Sequence, residues 1–212
     1  MTQYAFAFDS NKCSGCRTCQ VLCKETYALP LANLFRRVYN YQGGTWEKND
    51  SGFYETKDRF GYFISMSCNH CDNPACVRAC PTGAMHKDAD TGIVSVNRDV
   101  CVGCRSCEMA CPYGAPSFNQ EDKLMMKCDM CKDHIVAGEK PLCVSGCRDR
   151  ALDWGTIEEM REKYPDNNVE IAPLPKNETG ANFVLVPHGN AKPTGSTEGH
   201  VVNMDEEMDY HA

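Results

Sequence analysis

The sixteen cysteines constrain this 212-residue chain most, because they fall into four groups of four with none left over. The first and third groups have the spacing C-x2-C-x2-C-x3-C, which binds 4Fe–4S clusters in bacterial ferredoxins. The second group widens one gap to four residues, and the fourth widens one gap to eleven. At four thiolates per cluster, the chain is predicted to hold four 4Fe–4S clusters and to conduct electrons. The groups are Cys13, Cys16, Cys19, Cys23; Cys68, Cys71, Cys76, Cys80; Cys101, Cys104, Cys107, Cys111; and Cys128, Cys131, Cys143, Cys147.

Zinc, in a structural scaffold, is the main alternative, because paired C-x2-C motifs also bind zinc. Zinc does not explain three cysteines within seven residues, found twice, or the C-x3-C-P endings at Pro81 and Pro112. Disulfides are disfavoured, since bridges within C-x2-C pairs are strained and labile. A 3Fe–4S centre would need a missing ligand, and all four groups are complete. His70 is expected to be a loop residue, because histidine ligation would leave a cysteine spare.

The composition disfavours several other functions. A net charge of -7 argues against nucleic-acid binding, which calls for a basic face. No nucleophile–base pair, phosphate-binding glycine loop or open metal motif is visible, so we predict a non-catalytic chain. Residues 1–13 lack the features of a signal peptide, and apolar runs such as 183–187 are too short to cross a bilayer. Export or membrane attachment is therefore expected to depend on partner subunits.

The predicted fold class is α+β, with two interleaved ferredoxin-like units of two clusters each. In the central unit a turn at 88–92 and a strand at 93–96 separate two motifs. The outer motifs form a second unit with strands over 4–9 and 151–154. In both units the fourth cysteine of a motif lies on a helix that leads to the neighbouring cluster, so crossed ligation is predicted. The predicted domains are 1–23 with 119–164 (outer unit), 24–66 (aromatic β-hairpin insertion), 67–118 (central unit) and 165–212 (extended C-terminal arm).

The hairpin insertion is rich in aromatic residues. Residues 35–41 and 60–66 are predicted strands, with turn signals at Gly43-Gly44 and at 49–52. The aromatic side chains either pack over a cluster unit, which is the favoured interpretation, or form a docking surface for a partner.

The C-terminal region begins with a capping box, Thr156 to Glu159, which predicts a short helix that ends before Pro165. Beyond it Pro, Asn and Gly dominate, apart from an apolar patch at 182–187 and an acidic stretch at 205–207. This composition favours an extended arm that is disordered alone and ordered against a partner.

Five cations stand beside the cysteines in the sequence. Their charge either tunes the potentials of nearby clusters or is solvated at the surface, and the sequence does not separate these interpretations. They are Arg17, Lys24, Arg105, Lys132 and Arg148.

The order of the four groups and their two widened gaps resemble the iron–sulfur subunits of membrane-anchored molybdoenzyme complexes. Within these, the sequence most resembles the electron-transfer subunits of anaerobic dimethyl sulfoxide reductases. The resemblance runs from about residue 3 to residue 200. The segments that carry the closer match are 35–46 (FRRVYNYQGGTW), 67–71 (SCNHC), 81–87 (PTGAMHK), 111–116 (CPYGAP) and 192–195 (KPTG).

This resemblance implies a heterotrimer for anaerobic respiration. A catalytic subunit carries a bis-molybdopterin guanine dinucleotide cofactor, an integral membrane subunit oxidises menaquinol, and this chain relays electrons between them. The implied location is peripheral, on the periplasmic face, after export in folded form with the catalytic partner. The alternatives are the same role in a thiosulfate, polysulfide or tetrathionate reductase, or a free-standing soluble polyferredoxin.

The resemblance also implies how the sixteen cysteines are grouped. Of the four ligand sets listed at the end of this paragraph, set 1 would face the molybdenum subunit and set 4 would face the quinol site. Lys24 and Arg148 replace the proline of the ferredoxin motif, so the outer unit is expected to follow the ferredoxin backbone less closely. The implied ligands are Cys13, Cys16, Cys19, Cys147 (set 1, cluster 1); Cys23, Cys128, Cys131, Cys143 (set 2, cluster 2); Cys68, Cys71, Cys76, Cys111 (set 3, cluster 3); and Cys80, Cys101, Cys104, Cys107 (set 4, cluster 4).

Overall fold

The computed structural model describes residues 2–204, which form small sheets and short helices and confirm the α+β class. The strands are β1 (Tyr4–Asp9), β2 (Arg37–Lys48), β3 (Tyr54–Met66), β4 (Met85–Lys87), β5 (Val94–Val96), β6 (Ser117–Phe118), β7 (Met125–Met126), β8 (Leu152–Thr156), β9 (Phe183–Val186) and β10 (Gly199–Val201). The helices are α1 (Thr18–Thr26), α2 (Ala75–Arg78), α3 (Ser106–Ala110), α4 (Lys132–Val136), α5 (Leu142–Ser145) and α6 (Ile157–Lys163), with a 3₁₀ turn at Arg98–Val100.

A three-stranded sheet in the order β8-β1-β9 contains the first predicted strand. β1 pairs antiparallel with β8 and parallel with β9, so that Phe8 lies between Leu152 and Leu185. Alternate residues of β1 enter two apolar clusters, with Phe8 on the side of the main core and Ala7 facing helix α6. The strand predicted over 4–9 is confirmed, and the one predicted over 151–154 is found as β8.

Helix α6 begins as the sequence predicts. The Thr156 hydroxyl accepts a hydrogen bond from the N–H of Glu159, and the Glu159 carboxylate accepts one from the N–H of Thr156. Ile157 and Met160 are buried against β1 and β9. The helix ends at Lys163, two residues before Pro165.

The β2–β3 hairpin is longer than predicted, and of the two predicted turn signals only the second, at 49–52, is where the chain turns. The chain reverses at 49–53, where the Asn49 side chain accepts hydrogen bonds from two backbone N–H groups. Gly43-Gly44 is not a turn, because it forms an irregularity within the paired strands. Gly44 has a φ of +101°, and a Cβ there would lie 2.6 Å from the Arg59 backbone. A glycine pair therefore marks a bulge here.

The aromatic residues of the hairpin divide along its length. Tyr41 and Tyr62 are buried in the main core, whereas Trp46, Phe53 and Tyr54 near the turn are exposed. The favoured prediction, packing over a cluster unit, holds for the base of the hairpin only, since its buried tyrosines share an apolar cluster with several of the cysteines.

Residues 165–204 pack onto the rest of the structure and include two strands. β9 completes the sheet of β1, and β10 pairs with β2. Ile171 and Leu174 are buried in the main core. This differs from the expectation of an extended arm that is disordered alone and ordered against a partner, because the apolar patch at 182–187 pairs with an open edge of β1. The acidic stretch at 205–207 lies outside the described residues.

Between the second and third cysteine groups, β4 pairs antiparallel with β5, with Met85 opposite Val96. The turn predicted at 88–92 joins them, and the Asp88 carboxylate accepts hydrogen bonds from the backbone at Asp90 and Thr91. Among residues 2–204, no helix is long and apolar enough to span a bilayer.

Candidate iron–sulfur sites

One cavity is lined by the four cysteines of set 3. Cys68, Cys71 and Cys76 come from the second sequence group, whereas Cys111 is the last cysteine of the third group. Helix α2 carries Cys76, and Cys111 stands directly after helix α3. The fold therefore exchanges the fourth cysteine between neighbouring groups, as crossed ligation requires.

Two further cavities show the same exchange. The cavity of set 2 is lined by Cys23 from the first group and by three cysteines of the fourth group. The cavity of set 4 is lined by Cys80 from the second group and by three cysteines of the third group. Four thiols around each cavity fit occupants of one kind.

The cysteines of set 1 also lie together. Burial raises the pKa of the Cys13 thiol to about 11, although the N–H of Gly15 works in the opposite direction. The negative charges of Cys19, Cys147 and Cys16 raise this pKa further, in that order. Because all three of these cysteines act electrostatically on Cys13, they lie near it. The four cysteines together are the set that the resemblance implies.

A repeated backbone turn places the thiols before α1 and α3. Arg17 and Arg105 both have left-handed backbone conformations, with φ of 59° and 62°, and each is followed at once by a helix. The residue that begins each helix bears a hydroxyl 3.4 Å from the sulfur of the preceding cysteine, Cys16 or Cys104. The loop thus presents its cysteines on one side before the helix leads the chain away.

The thiols differ in burial, and their pKa values differ with it. Burial raises the pKa of Cys76 and that of Cys128 to about 12 each. Cys16 and Cys104 are exposed, and hydrogen bonds with the nearby hydroxyls lower their pKa values. Several buried thiolates in one cavity need a strongly cationic partner, and an iron–sulfur core supplies one. The donor atoms present therefore fit 4Fe–4S clusters.

Curated relatives match this sequence over nearly its whole length. The B component of the anaerobic dimethyl sulfoxide reductase of Escherichia coli K12 is 48% identical over 206 residues, which cover 97% of this chain and 98% of the relative. This chain is a member of the dimethyl sulfoxide reductase B family. The corresponding component from Haemophilus influenzae is 47% identical over 204 residues, covering 96% of this chain and 98% of the relative.

More distant matches agree with membership of the dimethyl sulfoxide reductase B family. A 4Fe–4S dicluster domain matches residues 59–157. The B component of the sulfite dehydrogenase of Allochromatium vinosum is 35% identical over 214 residues, covering 91% of this chain and 81% of the relative. The predicted resemblance is confirmed, and the chain is an iron–sulfur protein of electron transport whose sixteen cysteines match four 4Fe–4S clusters.

The match to a 4Fe–4S dicluster domain favours iron–sulfur clusters over the zinc alternative. Among residues 2–204, no three histidine, cysteine, aspartate or glutamate side chains converge closely enough to hold a single metal ion. The thiols surround cavities instead.

The five cations beside the cysteines are not buried in the structure. Lys132 is exposed, and Arg148 is exposed and ion-paired with its neighbouring aspartate. Arg105 pairs with Glu108, and Lys24 donates hydrogen bonds to backbone carbonyls. For Lys132 and Arg148 this exposure favours solvated surface charge over a strong effect on the clusters, whereas Arg17, Lys24 and Arg105 are partly buried.

Two other cations of this family member lie among the thiols, and sequence reasoning missed both. Arg36 lines the cavity of set 2, and Lys127 lines the cavity of set 3; both side chains are buried. Lys127 Nζ donates hydrogen bonds to the carbonyls of Val94 and Cys128. In the sequence, the position of Arg36 within an apolar segment was the signal that could have indicated its burial. For Lys127, the signal was its position next to Cys128.

His70 is a buried loop residue rather than part of a thiol cavity. Its Nδ1 accepts a hydrogen bond of 2.9 Å from the N–H of Val94. Burial lowers its pKa well below the usual range, and the positive charges of Lys127 and Lys87 lower it further. The imidazole is therefore neutral, and its Nδ1 lone pair is already used within the protein.

Proposed function

We propose that this chain is the non-catalytic electron-transfer subunit of a membrane-anchored anaerobic dimethyl sulfoxide reductase. It relays electrons from a menaquinol-oxidising membrane subunit to a molybdopterin catalytic subunit. When bound, each 4Fe–4S cluster takes up and releases one electron at a time. Sets 1 to 4 hold clusters 1 to 4, in two interleaved ferredoxin-like units with the domain boundaries given above.

The observation that best supports this proposal is how the exposure of the thiols changes from set 1 to set 4. Set 1 includes the exposed Cys16, and set 4 includes the exposed Cys104. Every cysteine of set 2 is buried, and set 3 has no exposed cysteine. Sets 1 and 4 therefore suit exchange with partner subunits, whereas sets 2 and 3 suit transfer within the chain.

Contacts between the sets support the order from 1 to 4. Helix α1 carries both Cys19 of set 1 and Cys23 of set 2, one turn apart. After burial itself, the charge of Cys68 in set 3 is the main cause that raises the pKa of Cys128 in set 2. Cys111 of set 3 follows the helix that carries a cysteine of set 4.

The partners and location extend what the relatives' names say. Those names describe components of oxidoreductases, which supports assembly with a catalytic subunit. We propose attachment to the membrane through an anchor subunit, on the periplasmic face, after export in folded form with the catalytic subunit.

A related function is favoured by one specific match. The similarity to a sulfite dehydrogenase component supports a variant of the proposal in which the complex acts on another sulfur compound, such as thiosulfate, polysulfide or tetrathionate. Co-purification with a large molybdenum subunit separates both of these from a free-standing polyferredoxin, which would purify alone.

The first test is metal analysis of the anaerobically purified full chain. Four clusters of four iron atoms give sixteen iron and sixteen sulfide per chain, with interacting EPR signals on stepwise reduction. Zinc with no reducible signal would overturn the electron-transfer proposal.

A further inference from the structure

Arg36 is a charged side chain buried without a carboxylate partner. It is 1% exposed, and its guanidinium lies 4.6 Å from the centre of the Phe6 ring. Its Nη1 donates to the carbonyl and hydroxyl of Ser65, at 3.3 and 3.2 Å, and its Nη2 donates to the Ser67 hydroxyl at 2.9 Å. Among residues 2–204, Nε has no hydrogen-bond partner and no carboxylate ion-pairs with the guanidinium. These neutral contacts orient the charge but do not neutralise it.

Arg36 lies beside thiols from two different sets. Arg36 lines the cavity of set 2, and the Ser65 hydroxyl that it contacts lies 3.4 Å from the sulfur of Cys19 in set 1. One cation therefore faces both outer sites.

We propose that Arg36 is a shared counter-cation that raises the reduction potentials of clusters 1 and 2 together. The inference rests on the proposed ligand sets. A cluster with four thiolate ligands is negative, and reduction makes it more negative, so a fixed positive charge nearby favours the reduced form. Burial limits screening by water and salt. Because arginine stays protonated, this contribution does not vary with pH.

Exposed cations next to the cysteines do not have the same effect. Arg148 follows Cys147 directly, yet it lies in solvent and pairs with Asp149. Water and the carboxylate both weaken its field at the thiols. Arg36 has neither form of screening, which is why it is the cation that the geometry assigns to this role.

The test is a potentiometric EPR titration of the anaerobically purified full chain, with the four signals first assigned by single cysteine-to-serine variants, one in each set. Arg36→Met removes the charge at similar volume, Arg36→Lys retains it, and Arg59→Met removes an exposed arginine that contacts Trp46 on the hairpin. We expect the potentials of clusters 1 and 2 to fall in Arg36→Met, while clusters 3 and 4 stay unchanged. Arg36→Lys should restore most of the fall, and Arg59→Met should match the wild type.

A purely structural role would leave all four potentials unchanged in an Arg36→Met chain that retains sixteen iron, and that result would overturn the inference. An equal fall in all four potentials would also overturn the inference. If Arg36→Met loses iron, Arg36→Lys decides: full iron with near wild-type potentials supports the charge, and the same loss of iron refutes it. Failure of the ligand sets is distinguishable, because the cysteine variants would then not separate the four signals before Arg36 is changed.

Discussion

Replacing Gly103 by alanine should damage cluster 4 before any other. Gly103 lies between Cys101 and Cys104 of set 4, with a φ of +65°. A Cβ there would stand 2.1 Å from the backbone carbonyl oxygen of Lys123. The left-handed backbone costs alanine about 1–2 kcal/mol. Moving the carbonyl by roughly 1 Å to ordinary contact adds about 1–3 kcal/mol. The loop is then destabilised by about 2–5 kcal/mol in total.

Gly83 provides a matched control for this prediction. Its φ is +70°, and a Cβ there meets nothing within 4 Å. Gly83→Ala therefore carries only the backbone cost of about 1–2 kcal/mol. The assay is the EPR signal of cluster 4 and the iron retained per chain against urea. With a slope of about 2 kcal/mol per molar, the midpoint for Gly103→Ala should lie roughly 1 M below that for Gly83→Ala. Equal midpoints, or earlier loss of another cluster, would refute the steric argument.

Three other predictions address the series of sites. Cys104→Ser should abolish quinol-driven turnover of the complex and leave turnover with an artificial donor to the catalytic subunit; unchanged quinol turnover would contradict the order of the sets. Lys127→Met should lower the EPR midpoint potentials of clusters 2 and 3, because the buried Nζ of Lys127 donates to the carbonyl of Cys128 in set 2 and the side chain lines the cavity of set 3. No change in either potential would mean that the charge of Lys127 is screened. In the iron-free chain at pH 8, iodoacetamide should label Cys104 before Cys128, as followed by mass spectrometry. The pKa of Cys104 is lowered, which enlarges its thiolate fraction, whereas burial raises that of Cys128 to about 12; equal labelling rates would contradict this difference in burial.

The sequence predicted the elements whose causes are local. The strand over 4–9 and the capping box at Thr156 depend on residues adjacent in the chain, and both are found. The glycine pair at 43–44 was misassigned, because a turn and a bulge both need positive φ and only strand pairing distinguishes them. The packing of residues 165–204 escaped prediction for a related reason, since the open edge of β1 exists only in the folded chain.

The features of the candidate cluster sites were also predicted only in part. Cysteine spacing indicated four clusters and crossed ligation, because three ligands of each site are close in the sequence or joined by one loop. The buried cations were not predicted, since Arg36 and Arg37 are equivalent in the sequence. Only tertiary packing encloses Arg36 among thiols and directs Arg37 to the carbonyl of Gly114.

The parallel pairing of β1 with β9 has a consequence for biosynthesis. Synthesis must pass residue 186 before β9 can join the strand that began at Tyr4. The ligands of sets 3 and 4 lie within 68–111, so they leave the ribosome long before Cys147 and β9. Contacts so distant along the chain form late in folding. The central sites are therefore complete while the outer sheet still lacks an edge, and iron–sulfur delivery to a nascent chain would reach them first.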